Sequence, residues 1–184
     1  DHNAHAESTR AVKGAETQLA TALRLVEQAN RDGIPDSELT LRCVSEIRRL
    51  THELAEVQTR LDVPHNDWEQ VDADATRLTT DLGTQAAQLR GELQLAQQSV
   101  DALQQASRDV FAATRWTGGW GIQVLGSPGA DELERARHAL NRGNYQLMLE
   151  LSRAAALAAQ MALERAQREV ARRQREQEHA AEAA

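Results

Sequence analysis

The fold is decided by residues 68–103, which read WEQVDADATRLTTDLGTQAAQLRGELQLAQQSVDAL. Apolar residues recur there at steps of three and four, at Trp68, Val71, Ala75, Leu78, Leu82, Ala86, Leu89, Leu93, Ala96, Val100 and Leu103. Charged and amide residues fill the positions between them, a pattern typical of a helix that buries one seam against other helices. We therefore predict a single helix of about 45 residues, about 70 Å long at a rise of 1.5 Å per residue.

The regular alternation of this seam breaks beside Gly83. Two successive steps of four lead from Leu78 to Ala86, and such a stutter locally unwinds a coiled coil and turns its apolar face toward different neighbours. We therefore predict two domains that share the long helix. The first is a three-helix antiparallel coiled-coil bundle over residues 1–83, and the second is a helical bundle over residues 84–184.

Two shorter helices precede the long one. The first is predicted over 4–31 and ends before Gly33, which suits a left-handed cap. The second begins after a cap at Asp36 or Ser37 and ends before Pro64. Their seams are Val12, Ala15, Leu19, Ala22, Val26 and Ala29 in the first helix, and Cys43, Ile47, Leu50, Leu54, Val57 and Leu61 in the second.

Residues 116–130, WTGGWGIQVLGSPGA, form the Trp-Gly loop. They hold five of the ten glycines and two of the three tryptophans, which predicts a structured, β-like excursion from the helical chain. A helical hairpin over 131–180 follows. Its first helix begins at Ser127 or Asp131, and its second starts at Tyr145 after a turn.

The fold class that follows is all-α, with elongated antiparallel helical bundles, one long shared helix and the Trp-Gly loop. Aromatic residues make up only 3% of the chain, too few for extensive sheet. The net charge of −7 is concentrated in residues 35–115, which disfavours nucleic-acid binding. The sequence contains no run of about 18 apolar residues, so it predicts no membrane-spanning helix. The single Cys43 reads as a small buried hydrophobe and leaves the compartment open, with the cytoplasm favoured.

Two resemblances accompany this architecture. A long helix shared by consecutive three-helix bundles resembles spectrin repeats over the whole chain, which implies a structural spacer or binding platform without catalysis. The Trp-Gly loop departs from the spectrin pattern. The sequence ALNRGNY at 139–145, followed by Ala155, is similar to the turn of one tetratricopeptide hairpin. Met148 stands where such repeats prefer alanine, and no period of about 34 residues recurs, so no tetratricopeptide array is predicted.

No set of side chains carries a catalytic or metal-binding signature. His2 and His5 lack the spacing and the glutamate of a zincin motif. Asp67, Asp74 and Asp81 recur every seven residues, which indicates one solvated helix face. The remaining histidines are single and expected at the surface, namely His52, His65, His138 and His179. We expect no metal, no cofactor and no catalytic residue.

The aromatic residues concentrate around the Trp-Gly loop, since four of the five lie between positions 111 and 145. They suit either an apolar plug that closes the second bundle or a contact surface for a partner, because Trp and Tyr are enriched at interface hot spots. The partner-contact hypothesis names Trp116, Trp120, Ile122, Val124 and Tyr145. Exposure of the indole rings decides between these two interpretations.

The function expected from these patterns is that of a non-enzymatic coiled-coil scaffold or protein-interaction segment of a larger, bacterial-type protein. It would bind a protein partner or a second copy of itself through its helical faces and the Trp-Gly loop. One alternative is a regulatory or sensor module that binds a peptide or ligand at residues 116–130. Another is a fragment of an enzyme whose catalytic parts lie outside this sequence.

Overall fold

The computed structural model describes residues 2–64 and 66–183, and 86% of these residues are helical. The five α-helices are α1 (His2–Arg31), α2 (Glu38–Leu61), α3 (Trp68–Arg115), α4 (Ala130–Asn141) and α5 (Tyr145–Glu182), with a short 3-10 turn at Gly119–Gly121. No strand forms within the described ranges. The predicted all-α fold class is confirmed.

Side-chain caps precede α2 and α3, and a glycine follows the end of α1. The Ser37 hydroxyl accepts a hydrogen bond from the backbone N–H of Thr40 at 3.1 Å and caps α2. The Asp67 carboxylate accepts from the backbone N–H of Gln70 at 3.2 Å, ahead of α3. Gly33, just beyond α1, has a φ of +62°. The Ser37 cap and the stop at Gly33 lie where the sequence predicted them, because each depends on residues within one helical turn.

The chain divides into two compact units, unit 1 (Asp1–Gln94) and unit 2 (Leu95–Ala184). The division therefore lies beyond the predicted one at Gly83. Past the stutter, Ala86 and Leu89 still pack inside unit 1, in a cluster with Ala22, Cys43 and Ile47. The helix α3 therefore keeps the same two neighbours after the stutter. The reason is that α1 and α2 are long enough, with 30 and 24 residues, to supply partner side chains beyond that point.

Unit 1 buries the predicted seams of α1, α2 and the first part of α3. One cluster holds Val12, Ala15, Leu50, Leu54, Val57, Val71, Ala75, Leu78 and Leu82. In the neighbouring cluster, Cys43 is 1% exposed. Its burial raises the thiol pKa, nearby Glu92 raises it further, and Arg42 partly opposes both. The predicted burial of Cys43 is confirmed, and its thiol stays protonated at neutral pH.

A charged contact joins α2 to α3 within unit 1. Arg60 of α2 donates to Asp74 of α3 at 2.6 Å, and Arg77 of α3 donates to Glu53 of α2 at 3.0 Å. The hydrogen bond from Arg60 lowers the pKa of Asp74. The aspartate face of α3 is therefore partly paired with α2, whereas the sequence pattern predicted a face that contacts only solvent.

Unit 2 packs the second part of α3 against α4 and α5 through small side chains. Its buried cluster consists of Ala106, Val110, Ala113, Leu133, Ala155 and Ala159. Alanines let helix axes approach closely. The chain enters α4 at Gly129, whose φ is +85°, and a Cβ there would lie 2.4 Å from the carbonyl oxygen of Ala155. The sequence predicted that this helix begins at Ser127 or Asp131, whereas α4 begins at Ala130 after the N-cap Gly129, where the close approach leaves no room for a side chain.

We predict that Asp74→Asn lowers the stability of unit 1 at neutral pH by about 0.5–1 kcal/mol. The pKa of Asp74 is lower in the folded state than in the unfolded state. The contact with Arg60 therefore stabilises the fold fully at pH values above the unfolded-state pKa of about 4. That contribution is lost as the pH falls through the lower folded-state pKa. Urea unfolding followed by circular dichroism at about pH 7 and about pH 2 measures the difference. Asp72→Asn is the control, and equal losses for D74N at both pH values would contradict the prediction.

We predict that Gly129→Ala destabilises unit 2 far more than Gly126→Ala. Both glycines have positive φ, +85° and +71°, so both alanines carry a backbone penalty of about 1–2 kcal/mol. Only the Cβ at position 129 meets backbone, since nothing lies within 4 Å of a Cβ at position 126. We expect G129A to cost about 2 kcal/mol more than G126A in thermal unfolding. Equal losses would mean that α5 moves aside freely.

Candidate functional site

The Trp-Gly loop is a folded segment. Thr117 and Gln123 form an isolated antiparallel bridge, and the backbone N–H of Gly118 donates to the carbonyl of Ile122 at 2.8 Å. The 3-10 turn lies between the two arms of this bridge. The β-like character predicted for the loop is therefore limited to a single bridge at the base of the loop's tip.

Trp116 holds the loop against α5. A Cβ on Gly118 would lie 2.5 Å from Cη2 of Trp116 and 2.7 Å from Cγ2 of Val170. The indole and the valine side chain thus meet in the space that Gly118 leaves open. Trp116 is half-buried, and its contacts correspond to the plug interpretation of the tryptophans.

Trp120 is placed differently, at the tip of the loop. It lies between Gly119 and Gly121 in the left-handed region, with a φ of +66°, and it is 49% exposed. A bulky residue in this backbone conformation is an outlier that costs about 1–2 kcal/mol. Burial does not offset that cost fully, because half of the residue remains in water.

The other residues of the partner-contact hypothesis are less exposed than Trp120. Val124 and Tyr145 are buried, at 8% and 4% exposure, so these two candidates have almost no surface to offer a partner. The Tyr145 carbonyl accepts a hydrogen bond from the Ser99 hydroxyl at 2.8 Å, which ties α5 to α3. Ile122 is half-buried. Leu125, which the sequence analysis did not single out, is 85% exposed.

A groove of about 360 Å³ lies between the Trp-Gly loop and α5, and we call it the loop groove. It is lined by Ile122, Gln123, Val124, Leu125, Ala162, Arg165, Ala166 and Glu169. Arg172 and Arg173 donate to Glu169 at 2.6 and 3.0 Å. These hydrogen bonds lower the pKa of Glu169, so it is ionised at neutral pH. The one sequence signal for this groove is the pair of alanines four residues apart, which leaves space on one face of α5.

The other chemistry-bearing residues form no site. Within the part of the chain that the structure describes, no group of three or more His, Cys, Asp or Glu is arranged to hold a metal ion. The His5 ring packs edge-on against Trp68, with 4.8 Å between ring centroids. Three further histidines are exposed, namely His52, His138 and His179, while His65 lies outside the described residues. None of the helices in the described ranges is long and apolar enough to cross a bilayer.

Comparison with known proteins finds no matching family model, no matching curated protein and no matching solved structure. The loop groove and the Trp-Gly loop are therefore the features from which a function can be inferred.

We predict that Gly118→Ala displaces the indole of Trp116, because the new methyl group would occupy the space where Trp116 and Val170 meet. In a background carrying Trp68→Phe and Trp120→Phe, the remaining tryptophan emission should shift to the red and become easier to quench with acrylamide. The unfolding free energy should fall by about 1–3 kcal/mol.

Gly119→Ala is the matched control for this variant, since nothing lies within 4 Å of a Cβ at position 119. Its emission spectrum should stay close to that of the background. If G118A and G119A gave the same spectrum, the packing of Trp116 over Gly118 would be refuted.

Proposed function

We propose that this chain is a non-enzymatic helical module that binds a protein partner through the Trp-Gly loop and the loop groove of unit 2. The observation that carries the proposal is the exposed indole of Trp120 in a left-handed backbone conformation. Such strain at a surface position favours a binding role, because nothing in the folding of the chain itself requires an exposed ring there.

The surroundings of Trp120 support the same role. Leu125 is 85% exposed on the same loop and adds apolar surface beside Trp120, and tryptophan is enriched among the residues that contribute most to binding at interfaces. The bridge between Thr117 and Gln123 and the packing of Trp116 on Val170 fix the loop before binding. A fixed loop loses little conformational entropy when it meets a partner.

The loop groove indicates what the partner presents. Its walls are apolar along Ile122, Ala162 and Ala166, which suits an aliphatic side chain. Arg165 lines the groove and has no ion pair among the described residues, so a carboxylate or amide oxygen on the partner would complement it. A small ligand held in the same groove is the alternative, which would make the chain a regulatory or sensor module.

The proposal is tested by placing the photo-crosslinker p-benzoylphenylalanine in place of Leu125 in the source cell, and in place of Leu41 as a control. Leu41 is a similarly exposed leucine of unit 1, at 56%. We expect a protein adduct from position 125 alone, either with another protein or with a second copy of the chain. No protein adduct at position 125, or equal adducts from both positions, would refute the proposal.

Affinity for the crosslinked partner, purified, gives the second measurement. Trp120→Gly and Leu125→Ser should each weaken binding at least about tenfold, in line with the loss of an interface anchor. W120G should not lower the melting temperature of unit 2, because glycine relieves the left-handed strain at position 120. Leu41→Ser should bind like the wild-type chain. Full affinity in W120G would remove Trp120 from the contact surface.

A further inference from the structure

A second groove lies in unit 2, where α4 turns into α5, and we call it the hairpin groove. It has a volume of about 390 Å³ and is lined by Arg135, His138, Ala139, Arg142, Asn144, Leu147 and Leu151. The first four residues come from α4 and the residue that caps it, and the last three come from the N-terminal end of α5 and its cap. The proposed function does not use any of these residues.

Helical spacing brings the α4 residues to one side of the groove. Positions 135, 138, 139 and 142 are related by steps of three and four, so they lie on one face of the helix. The turn is closed by Gly143, with a φ of +65°, and by a hydrogen bond from the backbone N–H of Asn144 to the carbonyl of Ala139 at 2.9 Å. The Asn144 side chain then caps α5 by accepting from the N–H of Leu147 at 3.2 Å.

The charge of this groove is one-sided. It is lined by two arginines and a histidine but by no carboxylate. Arg135 and Arg142 make no ion pair among the described residues. His138 lies 3.6 Å from Glu134, which also pairs with Arg137 at 3.5 Å. The two guanidinium groups of the lining therefore remain available, and guanidinium is the side chain that binds carboxylates most specifically.

The α5 side of the groove presents two leucines. Leu147 is 38% exposed, whereas Leu151 is buried at 8%. The partly exposed Leu147 lines the same groove as Arg135 and Arg142, which make no ion pair among the described residues. The groove therefore presents an apolar side chain and positive charge together. It suits a ligand that carries carboxylates and an aliphatic group side by side.

We propose that the hairpin groove binds an acidic peptide segment of a partner protein. Two carboxylates of the peptide would pair with Arg135 and Arg142, and a neighbouring aliphatic side chain would pack on Leu147 and Leu151. Charge complementarity selects an acidic occupant and disfavours unit 2 of a second copy, which carries eleven arginines and eleven acidic residues. Binding to the acidic unit 1 of a second copy is a separate outcome, which the sedimentation measurement below distinguishes.

The test uses a library of phage-displayed dodecapeptides panned on the full chain. We expect the enriched peptides to carry at least two Asp or Glu residues next to Leu, Ile or Phe. Their affinity, measured by fluorescence anisotropy, should fall at least about tenfold in Arg135→Gln/Arg142→Gln. It should also fall in Leu147→Gln, which changes no charge, and it should weaken with added salt.

The matched control is Arg108→Gln/Arg153→Gln, which removes the same charge from two exposed arginines of unit 2 outside the hairpin groove. This control should bind the peptides within about twofold of the wild-type chain, and circular dichroism should show the same helicity in all variants. Equal losses in both arginine pairs would indicate diffuse attraction and overturn the proposal.

Two other results would also overturn it. Enriched peptides without acidic residues, or peptides whose binding depends on Trp120 and not on Arg142, would place binding elsewhere. A wild-type dimer in sedimentation equilibrium that R135Q/R142Q dissociates would assign the groove to a second copy of the chain. Because W120G leaves the hairpin groove intact, failure of this proposal and failure of the proposed function are distinguishable.

Discussion

Burial of one apolar seam along α3 is the interaction on which both units depend. In unit 1 the seam presents Leu78, Leu82 and Leu89, all fully buried. In unit 2 it presents mainly alanines, such as Ala106 and Ala113. Side-chain volume on the shared helix sets how closely its partner helices approach. The leucine-rich part therefore supports a core filled by large aliphatic side chains, and the alanine-rich part supports close helix contact.

Close helix contact in unit 2 has consequences for the candidate site. Gly129 approaches the backbone of Ala155 so tightly that a Cβ has no room there. The Trp-Gly loop then packs against α5 through Trp116 and Val170, again where a glycine leaves space. Gly118 and Gly129 leave no room for a Cβ, so the chain packs closely against α5 at both positions. The tip of the Trp-Gly loop, between these two glycines in sequence, presents Trp120 to solvent.

Charge is distributed unevenly between the two units. Unit 2 carries equal numbers of arginines and acidic residues, so the net charge of −7 belongs to unit 1. Within unit 1, contacts such as that of Arg60 with Asp74 join helices to each other. In unit 2, by contrast, Arg135, Arg142 and Arg165 line grooves without ion pairs among the described residues. Arg60 and Arg77 therefore join two helices of unit 1, whereas these three arginines of unit 2 remain available for binding.

The sequence by itself determined the helices, the cap at Ser37, the stop at Gly33 and most of the buried seams, because each depends on residues within one or two helical turns. The Gly129 cap of α4 was not predicted, since it depends on the close approach of α5. Only the tertiary structure decided that Val124 is buried while Leu125 is exposed, since loop residues carry no periodic signal for the face they occupy. The burial of Tyr145, at the first position of α5, was likewise decided by packing. It also decided that the units divide after Gln94, which depends on how far α1 and α2 accompany α3. The two grooves are likewise tertiary, because each combines residues from separate elements whose distance is set by packing.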